Sequence, residues 1–403
     1  MADREQGDII VAGTGPAGLI AALGLAHKGF SVTLAGPPAR RDDGRTTALM
    51  MPALNYLQSI GLPPFPVGEA APLASMRIVD ATRRLIRSAP VTFRAAEIGE
   101  AAFGMNIPNK VLNATLEAAV ESTPAISWHR SMVARWTLSA DGVEAELSDG
   151  SELSARLAVA ADGRGSPARE AAAIAMRTHA YAQSALVVNF GHSRDHGSVS
   201  TEFHTETGPF TQVPLPGKRS SLVWVVAPET AAELAALDDA ELSWRIEERM
   251  QSMFGRVAVE PGRQIYPMSA ALPASIAQNR VALVGEAAHV FPPIGAQGLN
   301  LGIRDVADLV ETAASHAADP GAEDALAAYR SARRPDVLAR SAAVNVLYLS
   351  LLAEMLPAQF ARSAGLGLLA GIAPLRGFFM REGMQPGSGF ARMASSLRKE
   401  IRR

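Results

Sequence analysis

The sequence predicts an α/β protein made of a Rossmann-like domain, an antiparallel β-sheet inserted into it, and a helical region at the C-terminal end. Two observations predict the Rossmann-like domain. An apolar strand followed by a glycine-rich turn and a helix occurs near residue 13, and the same arrangement returns near residue 285. The third observation is a series of short strand-like runs, separated by Gly, Pro and Ser, between residues 181 and 270.

The first unit has the order strand, helix, strand. Residues 8–13 (DIIVAG) are typical of a buried strand, and residues 18–29 are typical of a helix that ends at a glycine. Residues 31–36 (SVTLAG) predict the second strand. This βαβ unit begins the α/β fold.

Later segments extend the same pattern. Residues 46–61 and 109–122 have helix-like spacing, and residues 154–170 predict a strand, a polar turn and a helix. A short strand at 281–284 leads into the second glycine-rich turn. The helix predicted over 301–317 places four apolar residues on one face: Ile303, Val306, Leu309 and Val310.

The inserted sheet defines the predicted domain boundaries. The Rossmann-like domain is expected to contain the segments before, between and after the insertions, and the remaining residues form the inserted domain and the helical region. The predicted ranges are 1–71, 101–176 and 271–340 for the Rossmann-like domain, 72–100 and 177–270 for the inserted domain, and 341–403 for the helical region.

The composition limits the class of protein. Of 403 residues, 48% are hydrophobic and 19% charged, as in ordinary globular proteins, and the net charge of −2 gives no general attraction to nucleic acid. The absence of cysteine excludes disulfides and thiolate metal sites. The charged N-terminus is unlike a signal peptide, and the late uncharged stretches are shorter than the roughly 20 residues of a membrane span. We therefore expect a cytoplasmic protein.

The first glycine-rich turn, GTGPAG at 13–18, has the G-x-G-x-x-G spacing between a strand and a helix. Gly13 permits the tight turn, Gly15 lets a pyrophosphate approach the backbone, and Gly18 lets the helix pack against the strand. The positive end of the helix then faces the negative charge. The simpler alternative is a turn without a ligand, but the complete context favours a dinucleotide.

The end of the second strand departs from the usual dinucleotide pattern. An acidic residue about 20 positions after the glycines usually holds the ribose, whereas this strand ends in Ala35, Gly36 and Pro37. Asp42 and Asp43 follow too late to be good replacements. We therefore expect weaker ribose binding, and we expect Gly36→Glu to strengthen binding by about 1 kcal/mol.

The second turn, GEAAHVFPPIGAQGLN at 285–300, indicates which dinucleotide binds. Glu286 can accept a hydrogen bond from a polyol hydroxyl, and Pro292, Pro293 and Gly295 would form a rigid wall against a flat ring. The helix beginning near Gly298 would direct its N–H groups toward that ring. A reduced flavin carries the negative charge that such an arrangement stabilises, so one FAD could use both turns.

These residues resemble the single-component flavoprotein aromatic hydroxylases. The second turn is similar to their G-D-A-A-H-x-x-x-P-x-x-G-x-G-x-N motif, with Glu286 where Asp is usual, and residues 160–169 (AADGRGSPAR) resemble their A-D-G-x-x-S-x-x-R motif. Arg45 matches the family's flavin-side arginine. Asn109 matches its N-R-x-L segment, with Lys110 in place of Arg. Three ordered motifs with these spacings are highly specific.

Further segments resemble one branch of this family, the ring hydroxylases of ubiquinone biosynthesis. They extend over nearly the whole chain and are YAQSAL (181–186), FHTETGPFTQVPLP (203–216), YPM (266–268), YRSARRPD (329–336) and residues 365–384. The resemblance implies a fold like that of para-hydroxybenzoate hydroxylase. It also implies an FAD-dependent monooxygenase that uses NAD(P)H and O₂ to hydroxylate an aromatic ring, here a polyprenylated phenol.

The motifs and the resemblance together assign a set of residues to FAD binding. They are Gly13, Gly15, Pro16, Ala17, Gly18, Arg45, Asn109, Asp162, Gly285, Glu286, Pro293, Gly295, Gln297, Gly298, Leu299 and Asn300.

The flavin is expected to carry the chemistry, since the sequence contains no serine nucleophile elbow or convincing catalytic triad. Pro293 and His289 are candidates for a direct catalytic role, and the alternative for His289 is that it orients the turn by hydrogen bonding. Only one G-x-G-x-x-G occurs, so NAD(P)H is expected to bind without its own Rossmann domain. Arg40, Arg41 and Arg45 could contact its phosphates, although Arg40 and Arg41 fit a solvated loop better.

Other candidates have simpler explanations. His192, His196 and His204 lie in strand-like, glycine-containing sequence, so solvated strand histidines are favoured over a metal site, and no metal is expected. Phe210 and Trp224 could line a substrate pocket, but burial in the sheet core explains them equally well.

Two rival functions remain at this stage. One is a non-catalytic FAD-fold assembly partner of a hydroxylase, which the departures at Gly36 and Glu286 keep open. The other is a flavin-dependent oxidoreductase acting on another substrate; for a halogenase, the single Trp224 in LVWVVAP argues against the W-x-W-x-I-P motif.

A polyprenylated substrate predicts peripheral contact with the inner face of the membrane, or delivery by other ubiquinone-pathway proteins. An apolar helix face followed by a basic tail could supply the membrane contact, although packing of the helix on the FAD domain explains its apolar face at least as well. The face consists of Val344, Leu347, Tyr348, Leu351, Leu352 and Met355, and the tail contains Arg392, Arg398, Lys399, Arg402 and Arg403.

Overall fold

The structure is a computed structural model. It describes residues 5–39, 43–66, 68–82, 87–292, 297–352, 365, 367–369 and 371–384, with the backbone alone described for residues 297 and 338–352. The helices are α1 (Pro16–His27), α2 (Met51–Ser59), α3 (Asn109–Glu121), α4 (Pro167–Ala171), α5 (Pro228–Ala236), α6 (Asp239–Arg249), α7 (Gln297–Ser315), α8 (Glu323–Leu352) and α9 (Ala373–Met384). Short 3-10 turns cover Ala95–Ile98 and Gly285–Ala287.

The strands follow in chain order. They are β1 (Glu5–Gln6), β2 (Ile9–Ala12), β3 (Val32–Ala35), β4 (Thr46–Met50), β5 (Ala71–Pro72), β6 (Ser75–Asp80), β7 (Val91–Arg94), β8 (Gly104–Pro108), β9 (Ile126–His129), β10 (Val133–Leu138), β11 (Val143–Leu147), β12 (Glu152–Ala155), β13 (Leu157–Ala160), β14 (Met176–His192), β15 (Val199–Thr205), β16 (Gly208–Leu215), β17 (Arg219–Val226), β18 (Val257–Val259), β19 (Gln264–Pro273), β20 (Ala277–Gln278) and β21 (Val281–Leu283).

A parallel sheet in the order β21-β13-β2-β3-β9, with β20 antiparallel at one edge, forms the centre of the Rossmann-like part. Its central strands β2 and β13 are apolar throughout and buried, because helices and a smaller sheet cover both faces. Helices α1 and α7 pack against one face. The predicted apolar face of α7 is buried there, so this prediction is confirmed.

The segment rich in short strands forms a second, mixed sheet in the order β18-β14-β17-β16-β15-β6-β7, with β19 paired to β14. Neighbouring strands are antiparallel except β15 and β6, which are parallel. Helices α5 and α6 cover one face through an apolar core. The opposite face is turned toward the Rossmann-like part, and this geometry positions the site.

One secondary-structure prediction was wrong at its N-terminal end. Residues 46–50 form strand β4, paired antiparallel with β8, and the helix begins only at Met51. Pro52 stands in the first turn of α2, where its missing N–H is harmless. The threonines that precede it suit a strand.

The C-terminal predictions lie largely outside the described residues. The backbone of α8 runs to Leu352, whereas Met355 and the basic tail fall beyond the described part. Among the described residues, no helix combines the length and apolar character needed to cross a membrane. The division into domains at the stated boundaries stays a prediction.

Candidate functional site at the edge of the parallel sheet

The predicted motifs meet at one edge of the parallel sheet. In register, Ala12 of β2 pairs with Ala160 of β13, which pairs with Leu283 of β21. The strands are parallel, so their carboxyl ends lie side by side. The first glycine-rich turn, the Asp162 turn and the Gly285 turn are therefore adjacent, which is the usual ligand position in such sheets.

The glycines of the first turn have distinct geometric roles. Gly13 has φ +105°, and a Cβ there would lie 2.3 Å from the carbonyl oxygen of Ala161. A Cβ on Gly18 would lie 1.9 Å from the carbonyl oxygen of Gly13. At Gly15, by contrast, no atom of the described residues lies within 4 Å of an added Cβ. The turn is thus tightly packed behind and open in front, at the N-terminus of α1.

The structure argues against the expected benefit of Gly36→Glu. This residue has φ +148°, which L side chains rarely adopt, and a Cβ would lie 2.9 Å from Thr14 Oγ1. Its carbonyl oxygen also accepts a hydrogen bond of 2.9 Å from Trp128 Nε1. Gly36→Glu is therefore expected to strain the backbone at the end of β3 and weaken dinucleotide binding.

Asp162 presents a buried carboxylate oxygen without a partner. Its Oδ2 accepts a hydrogen bond of 3.1 Å from the backbone N–H of Ala168, whereas Oδ1 has no hydrogen bond among the described residues. Burial raises the pKa of Asp162 above its ordinary value, against the opposing effect of hydrogen bonds from Ser166 and Ala168. This oxygen is a free acceptor at the sheet edge.

Arg169 connects the Asp162 turn to the second glycine-rich turn. Its buried guanidinium donates to the carbonyl oxygens of Ala287 at 3.2 Å and Arg164 at 2.9 Å. Ser166 caps α4 by accepting a hydrogen bond from the Arg169 N–H at 3.0 Å. The arginine of the A-D-G-x-x-S-x-x-R motif therefore supports the backbone of both turns.

Arg45 and Asn109 lie together on the β4–β8 side of the site. The Asp43 carboxylate accepts two hydrogen bonds from the Arg45 guanidinium, of 2.7 and 2.8 Å, and one of 3.0 Å from Asn109 Nδ2. Partial burial alone would raise the pKa of Asp43, but the hydrogen bonds from Arg45 and Asn109 outweigh it and lower the pKa to about 2. Asn109 Oδ1 in turn accepts from Thr47. Asp43 therefore orients two of the predicted site residues.

The second turn is held by a largely buried group of polar and charged side chains. Gly285, with φ +60°, donates its N–H to Asp305 Oδ2 at 3.0 Å. The same oxygen accepts a hydrogen bond of 2.6 Å from His289 Nε2, and Asp305 Oδ1 accepts one of 2.9 Å from Arg333 Nε. Arg333 also contacts Asp308 and Asp336. We call these five side chains, with Asp305 at their centre, the Asp305 cluster.

The Asp305 cluster supports an orienting role for His289 rather than a direct catalytic one. The imidazole is buried behind the turn, paired with Asp305, and is not among the residues that line the cavity described below. Sequence reasoning did not identify Asp305 or Arg333 as site residues. The available signal was an aspartate and an arginine at positions that the helical periodicity of α7 and α8 places on buried faces.

Glu286 is exposed and turns toward the Asp162 loop. Its carboxylate forms an ion pair with Arg164 at 3.3 Å, using both oxygens. Arg164 occupies a variable position of the A-D-G-x-x-S-x-x-R motif. The ion pair thus links the second glycine-rich turn to the A-D-G-x-x-S-x-x-R motif across the mouth of the site.

The start of α7 completes the second turn. Gly298 and Leu299 border the cavity, and the Asn300 side chain accepts from the Met50 N–H at 2.8 Å and donates to the Ala48 carbonyl at 2.7 Å. Asn300 therefore ties α7 to β4. Pro293 and Gly295 lie outside the described residues, as does the side chain of Gln297, the first residue of α7; Pro16 and Ala17 open α1.

A cavity of about 550 Å³ lies between these turns and the mixed sheet. On the turn side it is bordered by predicted site residues: Arg45, Asn109, Glu286, Gly298 and Leu299. On the sheet side its lining is mainly apolar: Met76, Ile78, Phe93, Val187, Val213, Val223 and Met268. A charged motif side and an apolar sheet side thus enclose one space.

The remaining candidates do not line this cavity. Phe210 and Trp224 are buried in the core beneath α5 and α6, which decides between the two interpretations in favour of the core. His192, His196 and His204 are largely buried and hydrogen-bonded, so the description of them as solvated was wrong. Among the described residues, no group of three or more His, Asp or Glu side chains is arranged to hold a metal. Arg40 and Arg41 lie outside the described residues.

Comparison with known proteins gives the class and then the narrower group. Residues 6–342 match the FAD binding domain family, so the chain belongs to this family of FAD-binding proteins. It is 34% identical over 389 residues to ubiquinone hydroxylase UbiL of Rhodospirillum rubrum, covering 94% of this chain and 89% of that protein. It is 29% identical to the 3-demethoxyubiquinol 3-hydroxylase of Escherichia coli, covering 90% and 94%. The chain is thus a member of the ubiquinone hydroxylase family, and the resemblance found in its motifs is confirmed.

Solved structures confirm the predicted fold. The p-nitrophenol 4-monooxygenase PnpA of Pseudomonas putida superposes with a TM-score of 0.76 at 20% identity, covering 94% of this chain and 97% of that one. A variant of Klebsiella pneumoniae HpxO complexed with FAD gives a TM-score of 0.75 at 19% identity, covering 94% and 99%. At these identities the likeness establishes the fold alone.

Proposed function

We propose that this protein is an FAD-dependent monooxygenase that uses NAD(P)H and O₂ to hydroxylate the aromatic ring of a polyprenylated phenol in ubiquinone biosynthesis. The observation that carries the proposal is the cavity, which has the predicted FAD residues on one side and an apolar sheet face on the other. Similarity to UbiL over 94% of the chain supports the pathway.

The residues at the sheet edge fit FAD. The open space at Gly15 and the N-terminus of α1 would hold the pyrophosphate, and the unpartnered Oδ1 of Asp162 would accept a hydrogen bond from a cofactor hydroxyl. The N–H groups at the start of α7, from Gly298 to Asn300, would face the ring system. When bound, FAD supplies the redox chemistry by taking a hydride from NAD(P)H and reacting with O₂ to oxygenate the substrate.

The chain's own contribution is binding, orientation and exclusion of water. The proposed FAD-binding domain comprises residues 1–71, 101–176 and 271–340, and residues 72–100 and 177–270 supply the substrate domain. Valine and methionine side chains of the mixed sheet cover the substrate side of the cavity. Such a surface favours an aromatic ring with an apolar tail over a charged ligand, because burying apolar area is favourable at roughly 25 cal/mol per Å².

The proposed route of NAD(P)H to the flavin is the cavity, because FAD would occupy the first glycine-rich turn. The one G-x-G-x-x-G motif is assigned to FAD, so the nicotinamide co-substrate would reach the flavin through the same cavity. Arg45 is already paired with Asp43, and this pairing would have to open or rotate for Arg45 to meet a phosphate.

The enzymatic proposal is tested with purified protein. We expect it to bind FAD non-covalently and to consume NAD(P)H and O₂, faster when a suitable phenol is added. Gene deletion followed by mass spectrometry of accumulated quinone precursors would identify the ring position. A protein that stays colourless after incubation with excess FAD would contradict the enzyme proposal and favour the assembly-partner alternative.

A membrane-resident substrate leads to the second part of the proposal, peripheral contact with the membrane. Leu368, Ile372 and Phe379, near the C-terminal end, are 54%, 44% and 52% exposed. Together with the basic tail they would bind anionic vesicles weakly, each basic residue contributing about 1 kcal/mol. Deleting residues 392–403 should reduce sedimentation with vesicles at low salt without loss of FAD. Absence of binding at low salt would favour delivery by a partner protein.

A further inference from the structure

The cavity face of the mixed sheet carries one carboxylate that FAD binding does not explain. Side chains alternate between the two faces of a strand, so Ser200, Glu202 and His204 of β15 share a face, and Phe203 points into the core beneath α6. Ser200 and Glu202 line the cavity. Among the described residues of the mixed sheet, Glu202 is the only acidic residue that lines the cavity.

The neighbours of Glu202 on the sheet are uncharged. In register it lies between Ile78 of β6 and Thr211 of β16, and Val223 of β17 is paired with Thr211. Arg77 also borders the cavity, but its guanidinium contacts Met253 Sδ at 3.9 Å on the opposite side of the sheet. Among the described residues of the mixed sheet, no lysine or arginine therefore pairs with the Glu202 carboxylate.

His204 fixes the orientation of this carboxylate. Its Nε2 donates to Glu202 Oε1 at 2.8 Å, and the imidazole is buried, with Nδ1 lacking a hydrogen bond among the described residues. Burying a histidine beside a carboxylate, with one ring nitrogen unpaired, opposes folding. Polar groups that oppose folding in a cavity are found preferentially at functional sites.

We propose that Glu202 accepts a hydrogen bond from a hydroxyl on the aromatic ring of the substrate, and that His204 positions the Glu202 carboxylate for this contact. The inference rests on the proposed function, because it needs a phenolic substrate. The mainly apolar face would bind the ring and its tail, and the carboxylate would select rings that offer a donor and hold them in one orientation.

The test compares two probes that differ in one hydrogen-bond donor: a short-chain 2-alkylphenol and its methyl ether. Dissociation constants are measured on FAD-loaded protein from the change in flavin absorbance. We expect the wild-type protein to bind the phenol at least about tenfold more tightly than the ether, the scale of one hydrogen bond to a charged acceptor. Glu202→Leu should reduce this ratio to about one, and Glu202→Gln to an intermediate value.

Matched controls separate the contact from general effects on the cavity. Glu248→Gln makes the same charge change on an exposed position of α6, and Thr211→Val removes a hydroxyl beside Glu202 on the cavity face. Both should keep the wild-type ratio. His204→Phe should lower the ratio, and His204→Gln, which can still donate to Glu202, should restore part of it.

The outcomes distinguish this inference from the proposed function. If the wild-type protein binds phenol and ether equally, or if both Glu202 variants keep the wild-type ratio, the role of Glu202 is wrong while a phenolic substrate stands. If neither probe binds and neither stimulates NAD(P)H consumption, the phenolic substrate itself is wrong, and this inference falls with it.

Discussion

The two glycine-rich turns lie at the same edge of the parallel sheet but are held in place differently. The first is shaped by backbone packing: Gly13 and Gly18 allow main-chain atoms to approach where any side chain would collide. The second is shaped by side chains: the Gly285 N–H is held by Asp305, which is held in turn by His289 and Arg333. The first consists of six consecutive residues packed against the backbone of Ala161, and the second depends on side chains up to almost fifty positions from Gly285.

This difference has consequences for stability. The first turn has no room for a Cβ at Gly13 or Gly18, so its stability depends on packing. It contains no titratable group, and its own residues therefore add no dependence on pH. A turn held by the Asp305 cluster depends on buried charges that stabilise only as a complete set, because removing one partner leaves another charge buried and unpaired. Four predictions test the comparison, in order of decreasing effect.

The Asp305 cluster should give the largest effect. Asp305→Asn leaves Arg333 short of a buried partner and removes the charged acceptor of the Gly285 N–H, so we expect the free energy of unfolding to fall by about 3–5 kcal/mol. Urea unfolding of FAD-free protein measures it. The control is Lys28→Met, which breaks an exposed ion pair of 2.7 Å with Glu311 and should cost below about 1 kcal/mol. Equal losses in the two variants would contradict a special role for the cluster.

The first turn offers a matched pair of glycines. Gly18→Ala introduces a Cβ 1.9 Å from the Gly13 carbonyl and should lower the free energy of unfolding by about 3 kcal/mol. Gly15→Ala meets open space at φ −68° and should change stability by less than about 1 kcal/mol, but it should weaken FAD binding because the methyl group occupies the open side of the turn. Thermal unfolding and FAD titration separate the two effects. Normal FAD affinity in Gly15→Ala would remove the pyrophosphate from this position.

Asp162 should separate binding from stability. Asp162→Asn is expected to weaken FAD binding about tenfold, while the FAD-free protein becomes no less stable, because a buried carboxylate with a raised pKa opposes folding. The sign sets the pH window. The wild-type protein loses stability relative to the variant as pH rises from the ordinary pKa of 3.8 through the raised one, and the two converge below 3.8.

Urea unfolding across that pH range tests the second part of the Asp162 prediction. Asp141→Asn, the same change on the exposed turn between β10 and β11, is the control and should affect neither quantity. A variant that is less stable at neutral pH and unchanged in FAD affinity would mean that Asp162 is structural.

Glu286 should give the smallest effect on stability, since its ion pair with Arg164 is exposed. Glu286→Ala is expected to lose FAD affinity, whereas Glu286→Asp should retain or improve it, because the carboxylate remains and its contact with Arg164 at 3.3 Å is weakened. FAD titration into apo-protein measures both. Normal FAD affinity and turnover in Glu286→Ala would exclude the proposed role of this carboxylate.

Much of the fold was predictable from local pattern. The strands around Ile9 and Leu157 are continuous apolar runs, and the face of α7 that includes Val306 repeats with helical period, so burial could be inferred from the order of residues. The start of α2 was misplaced because Met50 and its neighbours have an apolar spacing compatible with helix, and pairing with β8 decides for a strand.

The candidate site was predictable where its chemistry resides in a contiguous motif, and less so elsewhere. Gly13, Asp162 and Glu286 were assigned to the site because their turns are short, and these assignments stay predictions. Asp43 was dismissed because its distance from the β3 strand end made it a poor ribose ligand, although it orients Arg45 and Asn109.

The sequence alone determined the glycine turns, the parallel strands that place them at one edge, and the family to which the chain belongs, because each depends on the spacing of neighbouring residues. Only the tertiary structure decided that Gly36 cannot usefully become an acid, that His289 faces a buried aspartate, and that Glu202 meets the cavity. These properties depend on backbone torsion and on contacts between segments far apart in the chain. Such contacts form when the sheets and helices pack, and no local pattern of residues encodes them.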